Sequence, residues 1–176
     1  MDLANSILKN MTSESSISAL TSKLGGSSEQ VTKGIESAIP GLLKSMNKNV
    51  ASEEGAKSLV GALDQHKNTD SIDKQIKDAD EDDGNKIIGH ILGGGKNDFI
   101  GAIAKETGLD ISQSGALLAN IAPALLSTLS SAKNSALDKG DDIDIKDLLG
   151  SFIGDKDEKK GLSGGSLLKK LKDAIF

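Results

Sequence analysis

The chain is self-similar at a distance of 83 residues. When residues 17–47 are laid over residues 100–130, both prolines of the protein, Pro40 and Pro123, fall into register. The other identical positions of the first segment are Ile17, Ala19, Gly25, Gln30, Leu42 and Leu43. Similarity at a fixed spacing is the signature of a repeated structural unit. We therefore predict two diverged copies of one unit, over about residues 12–79 and 85–153, within a single domain of residues 1–176.

Each copy contains the apolar spacing of a long amphipathic helix. Steps of three and four residues place apolar side chains on one face of an α-helix. The residues are Val31, Ile35, Ala38, Ile39, Leu42, Leu43 and Met46 in the first copy, and Leu117, Leu118, Ile121, Ala122, Leu125, Leu126 and Leu129 in the second. Because Pro40 and Pro123 lack the N–H that an interior residue donates, each helix is predicted to bend or break near its middle.

The sequence also marks where helices begin and end. A short polar residue followed three positions later by Gln predicts a capping box, in which each side chain bonds to the backbone of the other residue. The two pairs of this kind are Ser27 with Gln30 and Asp110 with Gln113. A helix often ends at a glycine because glycine tolerates positive φ. The glycines predicted to end the preceding helices are Gly25 and Gly108.

The remaining elements are predicted to be helical as well. No stretch shows the sustained period-two alternation of a β-strand. The predicted fold class is all-α, a multihelical bundle of two quasi-repeated helical units with Pro-kinked long helices. An acidic linker is predicted over residues 78–84, and a Gly/Lys-rich hinge with a C-terminal amphipathic helix over residues 155–176.

Composition excludes several classes of function. The chain has no Cys, which removes disulfides and thiolate metal ligands. It has no Trp, no Tyr and three Phe, so little aromatic surface is present for stacking bases. The net charge of −5 opposes binding to a polyanion, because that affinity comes from clustered cations. We expect no nucleic-acid partner.

Neither a membrane segment nor a secretion signal is predicted. No uninterrupted apolar run reaches the length of a membrane span, which is about 18 residues or more. The N-terminus lacks the basic start and apolar run of a signal peptide. We therefore expect no integral membrane segment and a cytoplasmic location.

Candidate chemical sites are few and weak. His66 and His90 are the only histidines, and a metal site would need both of them together with carboxylates of the acidic run. Packing, or a position at a helix end, explains both residues more simply. Asp78, Asp80 and Asp82 have the alternation of a calcium loop, but the required Gly and Glu positions do not match. We predict no catalytic, cofactor-binding or metal-binding residue, and no cofactor.

The C-terminal segment carries the best candidate for an interaction surface. Its apolar face at helical spacing consists of Leu167, Leu168, Leu171, Ile175 and Phe176. A Gly-rich stretch that precedes this face could act as a hinge. The face either packs on the core of its own domain or contacts another copy, another protein or an anionic membrane surface.

The order of these elements resembles a known family. A Gly-ended helix is followed by a long helix with a central Pro and a Leu-Leu pair, and then by Ile-Ile-Gly-His-Ile-Leu-Gly-Gly-Gly, before the unit returns. This order is similar to that of the YidB-like bacterial proteins, also called domain of unknown function 937, over most of residues 17–153. The resemblance implies an all-helical cytoplasmic protein and brings no known activity, cofactor or catalytic residue. The chain lacks the Trp-containing C-terminal motif of the YidB branch itself.

Two functions agree best with these observations. The first is a non-catalytic helical interaction or assembly domain, with a protein partner or self-association. The alternative is a module that binds a small hydrophobic ligand or lipid in a groove between kinked helices. An enzymatic role would depend on His66, His90 and the acidic run, and we expect the protein not to be an enzyme.

Overall fold

The protein is built from helices. The computed structural model describes residues 3–138 and 145–152. Along these residues the α-helices are α1 (Leu3–Met11), α2 (Glu14–Leu24), α3 (Ser28–Asn49), α4 (Glu53–Gln65), α5 (Ile72–Lys77), α6 (Glu81–Leu92), α7 (Lys96–Thr107), α8 (Ile111–Asp138) and α9 (Ile145–Phe152). A short 3₁₀ turn, Gly93–Gly95, joins α6 to α7. No strand occurs in this part of the chain, and the all-α prediction is confirmed.

Helix α8 lies at the centre of the fold. It contacts every one of the helices α1–α7, and its most extensive contact is with α6. By length and mean hydropathy, Ile111–Ser135 is the one segment of the described residues that could cross a membrane. However, 67% of its most apolar window is buried inside the protein. Packing in the core therefore accounts for the apolar character of α8 without a membrane.

The predicted helix ends are present. Ser27 Oγ accepts from the backbone N of Gln30 at 3.2 Å, and Ser27 N donates to Gln30 Oε1 at 3.0 Å. Asp110 and Gln113 make the same two bonds at 2.7 and 3.0 Å. These bonds satisfy backbone donors that have no partner within the helix. The glycines that end α2 and α7, Gly25 and Gly108, both have φ of +76°.

Neither proline breaks its helix. Helix α3 continues through Pro40 and helix α8 through Pro123, so the predicted break does not occur. A long helix tolerates the loss of one hydrogen bond when tertiary packing holds both of its halves. The bend at each proline stays a prediction.

The acidic linker is shorter than predicted. The prediction placed it over residues 78–84, but α6 already begins at Glu81. Asp80 caps this helix by accepting from the backbone N of Asp82 and Asp83 at 2.8 and 3.3 Å. Carboxylates in a first helical turn interact favourably with the helix dipole. The acidic run is therefore mostly a helix start, which sequence composition alone does not distinguish from a solvated linker.

Gly84 allows α6 to lie close to α8. A Cβ at this position would overlap the carbonyl oxygen of Ala119 in α8. Gly84 is buried, and the two helices make their close approach at this point. The residue is therefore glycine for reasons of packing and not because a linker needs flexibility.

Candidate functional site

A cleft opens between the end of α3, helix α4 and helix α6. Its volume is about 610 Å³, within the range of small-molecule sites in proteins, which is roughly 300–1,000 Å³. The apolar side chains that line it are Met46, Leu59, Ile87, Ile91 and Leu126. All five are buried members of the hydrophobic core, so the cleft has an apolar floor.

Small residues on α4 leave this space open. Ser58, Gly61 and Ala62 line the cleft at spacings that place them on one side of the helix. A Cβ added at Gly61 would meet no atom within 4 Å. A longer side chain at this position would therefore extend into the cleft without a clash.

His66 and Asp83 join the end of α4 to the start of α6 at the cleft. His66 Nδ1 lies 2.8 Å from the carbonyl oxygen of Ala62, and Nε2 lies 2.9 Å from Asp83 Oδ2. A carbonyl oxygen only accepts, so Nδ1 carries a proton and donates. Nε2 faces a carboxylate oxygen, and a doubly protonated ring satisfies both contacts. Both ring nitrogens of His66 are therefore engaged within the protein.

A second polar contact joins α3 to α6. Asn49 Nδ2 donates to the carbonyl oxygens of His90 and Ile91 at 3.3 and 2.9 Å. These carbonyls belong to the last turn of α6, where four such groups have no partner within the helix. The cleft is thus bounded by hydrogen bonds at both ends of α6.

The two histidines line the same cleft from different helices. His66 lies at the end of α4, and His90 is an exposed residue of α6. Within residues 3–138 and 145–152, no three His, Asp or Glu side chains come together as a metal-binding cluster. The shared cleft could not be read from the 24 residues that separate them in sequence.

Positive charge exceeds negative charge along the cleft. Lys48, Lys57 and Lys86 line it, and Asp83 is the single carboxylate in the lining. Lys57 pairs with Glu53 at 2.7 Å on the exposed surface of α4. Lys48 and Lys86 form no ion pair with the described residues. A cationic lining on a chain of net charge −5 is a local reversal of the overall charge.

Asp64 holds α4 against α8 next to the cleft. Its Oδ1 lies 3.3 Å from Lys67 Nζ and 3.6 Å from Lys133 Nζ of α8. The hydrogen bond from Lys67, together with the charge of Lys133, lowers the pKa of Asp64 below its ordinary value. The carboxylate is exposed, so the free energy of this contact is reduced by solvent screening.

The interaction surface predicted from sequence lies outside the described residues. Its members are Leu167, Leu168, Leu171, Ile175 and Phe176. The cleft was not predicted, although one signal for it is present in the sequence. That signal is the row of small residues on an otherwise amphipathic helix, at Gly55, Ser58, Gly61 and Ala62.

Comparison with known proteins gives a family but no activity. The model of one family, described as bacterial protein of unknown function (DUF937), matches residues 6–132. No curated protein and no solved structure matches the chain significantly. The matched range extends from α1 to within α8 and includes the whole lining of the cleft.

Proposed function

The chain belongs to this bacterial family of unknown function, and we propose that it is a non-catalytic binding protein whose cleft takes a small, partly apolar ligand. The observation that carries the proposal is the cleft itself, which combines an apolar floor with a polar edge. Small-molecule sites in proteins typically have this combination, since apolar contact supplies affinity and a few polar groups fix orientation.

The hydrogen bonds around the cleft support a preformed site. Asn49 holds the end of α6, and the pair of His66 and Asp83 holds its start. A cleft that is already ordered loses less conformational entropy when a ligand binds. The framework therefore favours binding without a large rearrangement of the helices.

The same contacts support a role without catalysis. A general base needs a nitrogen or oxygen that can reach the proton of a substrate. Both nitrogens of His66 already bond within the protein. Ser52 Oγ donates to the carbonyl oxygen of Asn49 and accepts from the backbone N of Gly55, so it serves as a helix cap.

Assembly through the C-terminal segment is the second candidate function. It is supported by the apolar face of residues 166–176, which follows a Gly-rich stretch. In this proposal the segment packs against a second copy or another protein. The two candidates are compatible because they involve different parts of the chain.

We also propose that the two repeated units pack around an approximate two-fold axis. Reciprocal contacts support this arrangement, since Gln113 lies against Gly25 and Gln30 lies against Gly108. In each case the two members of the second pair are the 83-residue counterparts of the first. A two-fold axis produces such reciprocal contacts. Gly34 and Leu117, which are also counterparts, lie against each other.

A neutral dye tests the binding proposal. Nile red fluoresces in apolar surroundings, and we expect the wild-type protein to increase its fluorescence. Gly61→Phe places a ring in the cleft and is expected to abolish the increase. The matched control is Gly101→Phe in α7, because a side chain at Gly101 also meets no atom within 4 Å and lies outside the cleft. Equal dye binding by all three proteins, or by none, contradicts the proposal.

A further inference from the structure

We propose that the ligand of the cleft is an anionic single-chain amphiphile, with a carboxylate or phosphate head group bound by Lys48 and Lys86. This inference rests on the proposed binding function and adds the chemical class of the ligand. It starts from the charges of the lining, which carries two lysines without ion-pair partners in the described part of the chain.

The charge at the cleft differs from that of the whole chain. The chain contains 26 Asp and Glu against 21 Lys, yet the lining has three lysines and the single carboxylate of Asp83. The charge of Asp83 is offset by its contact with His66 at 2.9 Å. An anion that enters the cleft therefore meets uncompensated positive charge.

The positions of the two lysines separate a structural role from a binding role. Lys48 is in the last turn of α3, where a cation interacts favourably with the helix dipole. Lys86 is in the middle of α6, where the dipole gives no such benefit. Lys86 and His90 are four residues apart, so both side chains lie on the same side of α6 at the cleft.

The apolar floor determines the rest of the ligand. Met46, Ile87 and Ile91 offer aliphatic surface that a free inorganic anion would leave without contact. The lining has no aromatic residue on which a nucleobase could stack and no Arg for a bidentate phosphate contact. An aliphatic chain on the floor and an anionic head at the lysines match both properties of the cleft.

Displacement of Nile red by four compounds tests the inference. The compounds are decanoate, decyl phosphate, decanol and inorganic phosphate. We expect the two anionic amphiphiles to displace the dye at lower concentrations than decanol does. The preference should decrease as salt is added, because salt screens exposed charges. Inorganic phosphate is expected to have no effect.

Two double variants identify the residues. Lys48→Gln combined with Lys86→Gln should remove the preference over decanol, by roughly twofold to fivefold for each lysine, as for a partly exposed charge pair. The matched control is Lys44→Gln with Lys105→Gln, which changes the net charge equally at exposed positions outside the cleft. The control should retain the wild-type preference.

The outcomes separate this inference from the proposed function. If decanol and decanoate displace the dye equally and Gly61→Phe prevents both, the binding function stands and the anionic ligand is wrong. If inorganic phosphate competes as well as decyl phosphate, the amphiphile is also wrong. If the wild-type protein binds no dye, both the function and the inference fail.

Discussion

Gln113 Nε2 donates to the carbonyl oxygen of Leu24 at 3.1 Å, across 89 residues of sequence. The same amide lies 3.3 Å from the carbonyl oxygen of Gly25. Its Oε1 accepts from the backbone N of Asp110. One side chain thus caps the start of α8 and binds carbonyls at the end of α2. Its repeat counterpart, Gln30, has no tertiary hydrogen bond in the described part of the chain.

The two glutamines should therefore differ in their contribution to stability. We expect Gln113→Ala to lower the free energy of unfolding by about 1–2 kcal/mol, since it removes a cap and a tertiary hydrogen bond. Gln30→Ala loses the capping bond to Ser27 and should cost about 0.5–1 kcal/mol. Urea denaturation of both variants measures the difference. A larger loss for Gln30→Ala would contradict the contacts described for Gln113.

Two glycines in helices should respond to alanine in opposite directions. Gly84→Ala forces α6 away from Ala119 and should destabilise by about 1–3 kcal/mol, the usual cost of overpacking. Gly61→Ala meets open space and should stabilise by about 0.5–1 kcal/mol, because alanine loses less conformational entropy in a helix. Thermal unfolding measures both variants. The same sign for both substitutions would show that the α6–α8 approach is looser than described.

The contact of Asp64 gives a prediction about pH. Its pKa is lowered in the folded state, so its stabilising effect is present above the unfolded pKa of about 3.9. The effect is lost as the pH falls through the folded pKa. Asp64→Asn should therefore lower the melting temperature slightly at neutral pH, and the difference from wild type should vanish in strong acid. Added salt should also reduce the difference at neutral pH. A difference that grows in acid would have the wrong sign.

Deletion of residues 161–176 tests the assembly proposal. If the apolar face contacts a partner copy, the shortened protein keeps its melting temperature and loses self-association in light scattering. If the segment packs on its own domain, the melting temperature falls and the oligomeric state stays unchanged, since burial of each large apolar side chain contributes about 1.5–3 kcal/mol. The second result would rule out the assembly role of this segment.

Local features of the fold were predictable from the sequence. The capping boxes and helix-ending glycines involve residues within one helical turn, so their signals lie next to each other in the chain. The acidic start of α6 was assigned to a linker, because Asp and Glu are common both in solvated loops and in first helical turns. The choice between the two depends on tertiary packing, here the contact of Gly84 with Ala119.

The cleft depends on contacts that a single sequence does not display. Its lining combines α4 with the ends of α3 and α6, which approach only in the folded chain. His66 and Asp83 are 17 residues apart, and no helical or turn spacing connects them. Both histidines could be identified as candidates, but their common location required the arrangement of the helices.

The central place of α8 also determines when this domain can form during protein synthesis. Helices α1–α7 leave the ribosome first, and each of them has part of its contact surface on α8. Until residues 111–138 have emerged, these amphipathic helices lack the element around which they pack. Chains of this kind expose apolar surface while they wait and are prone to association. A nascent chain that stalls before Ile111 therefore ends without the core of its domain.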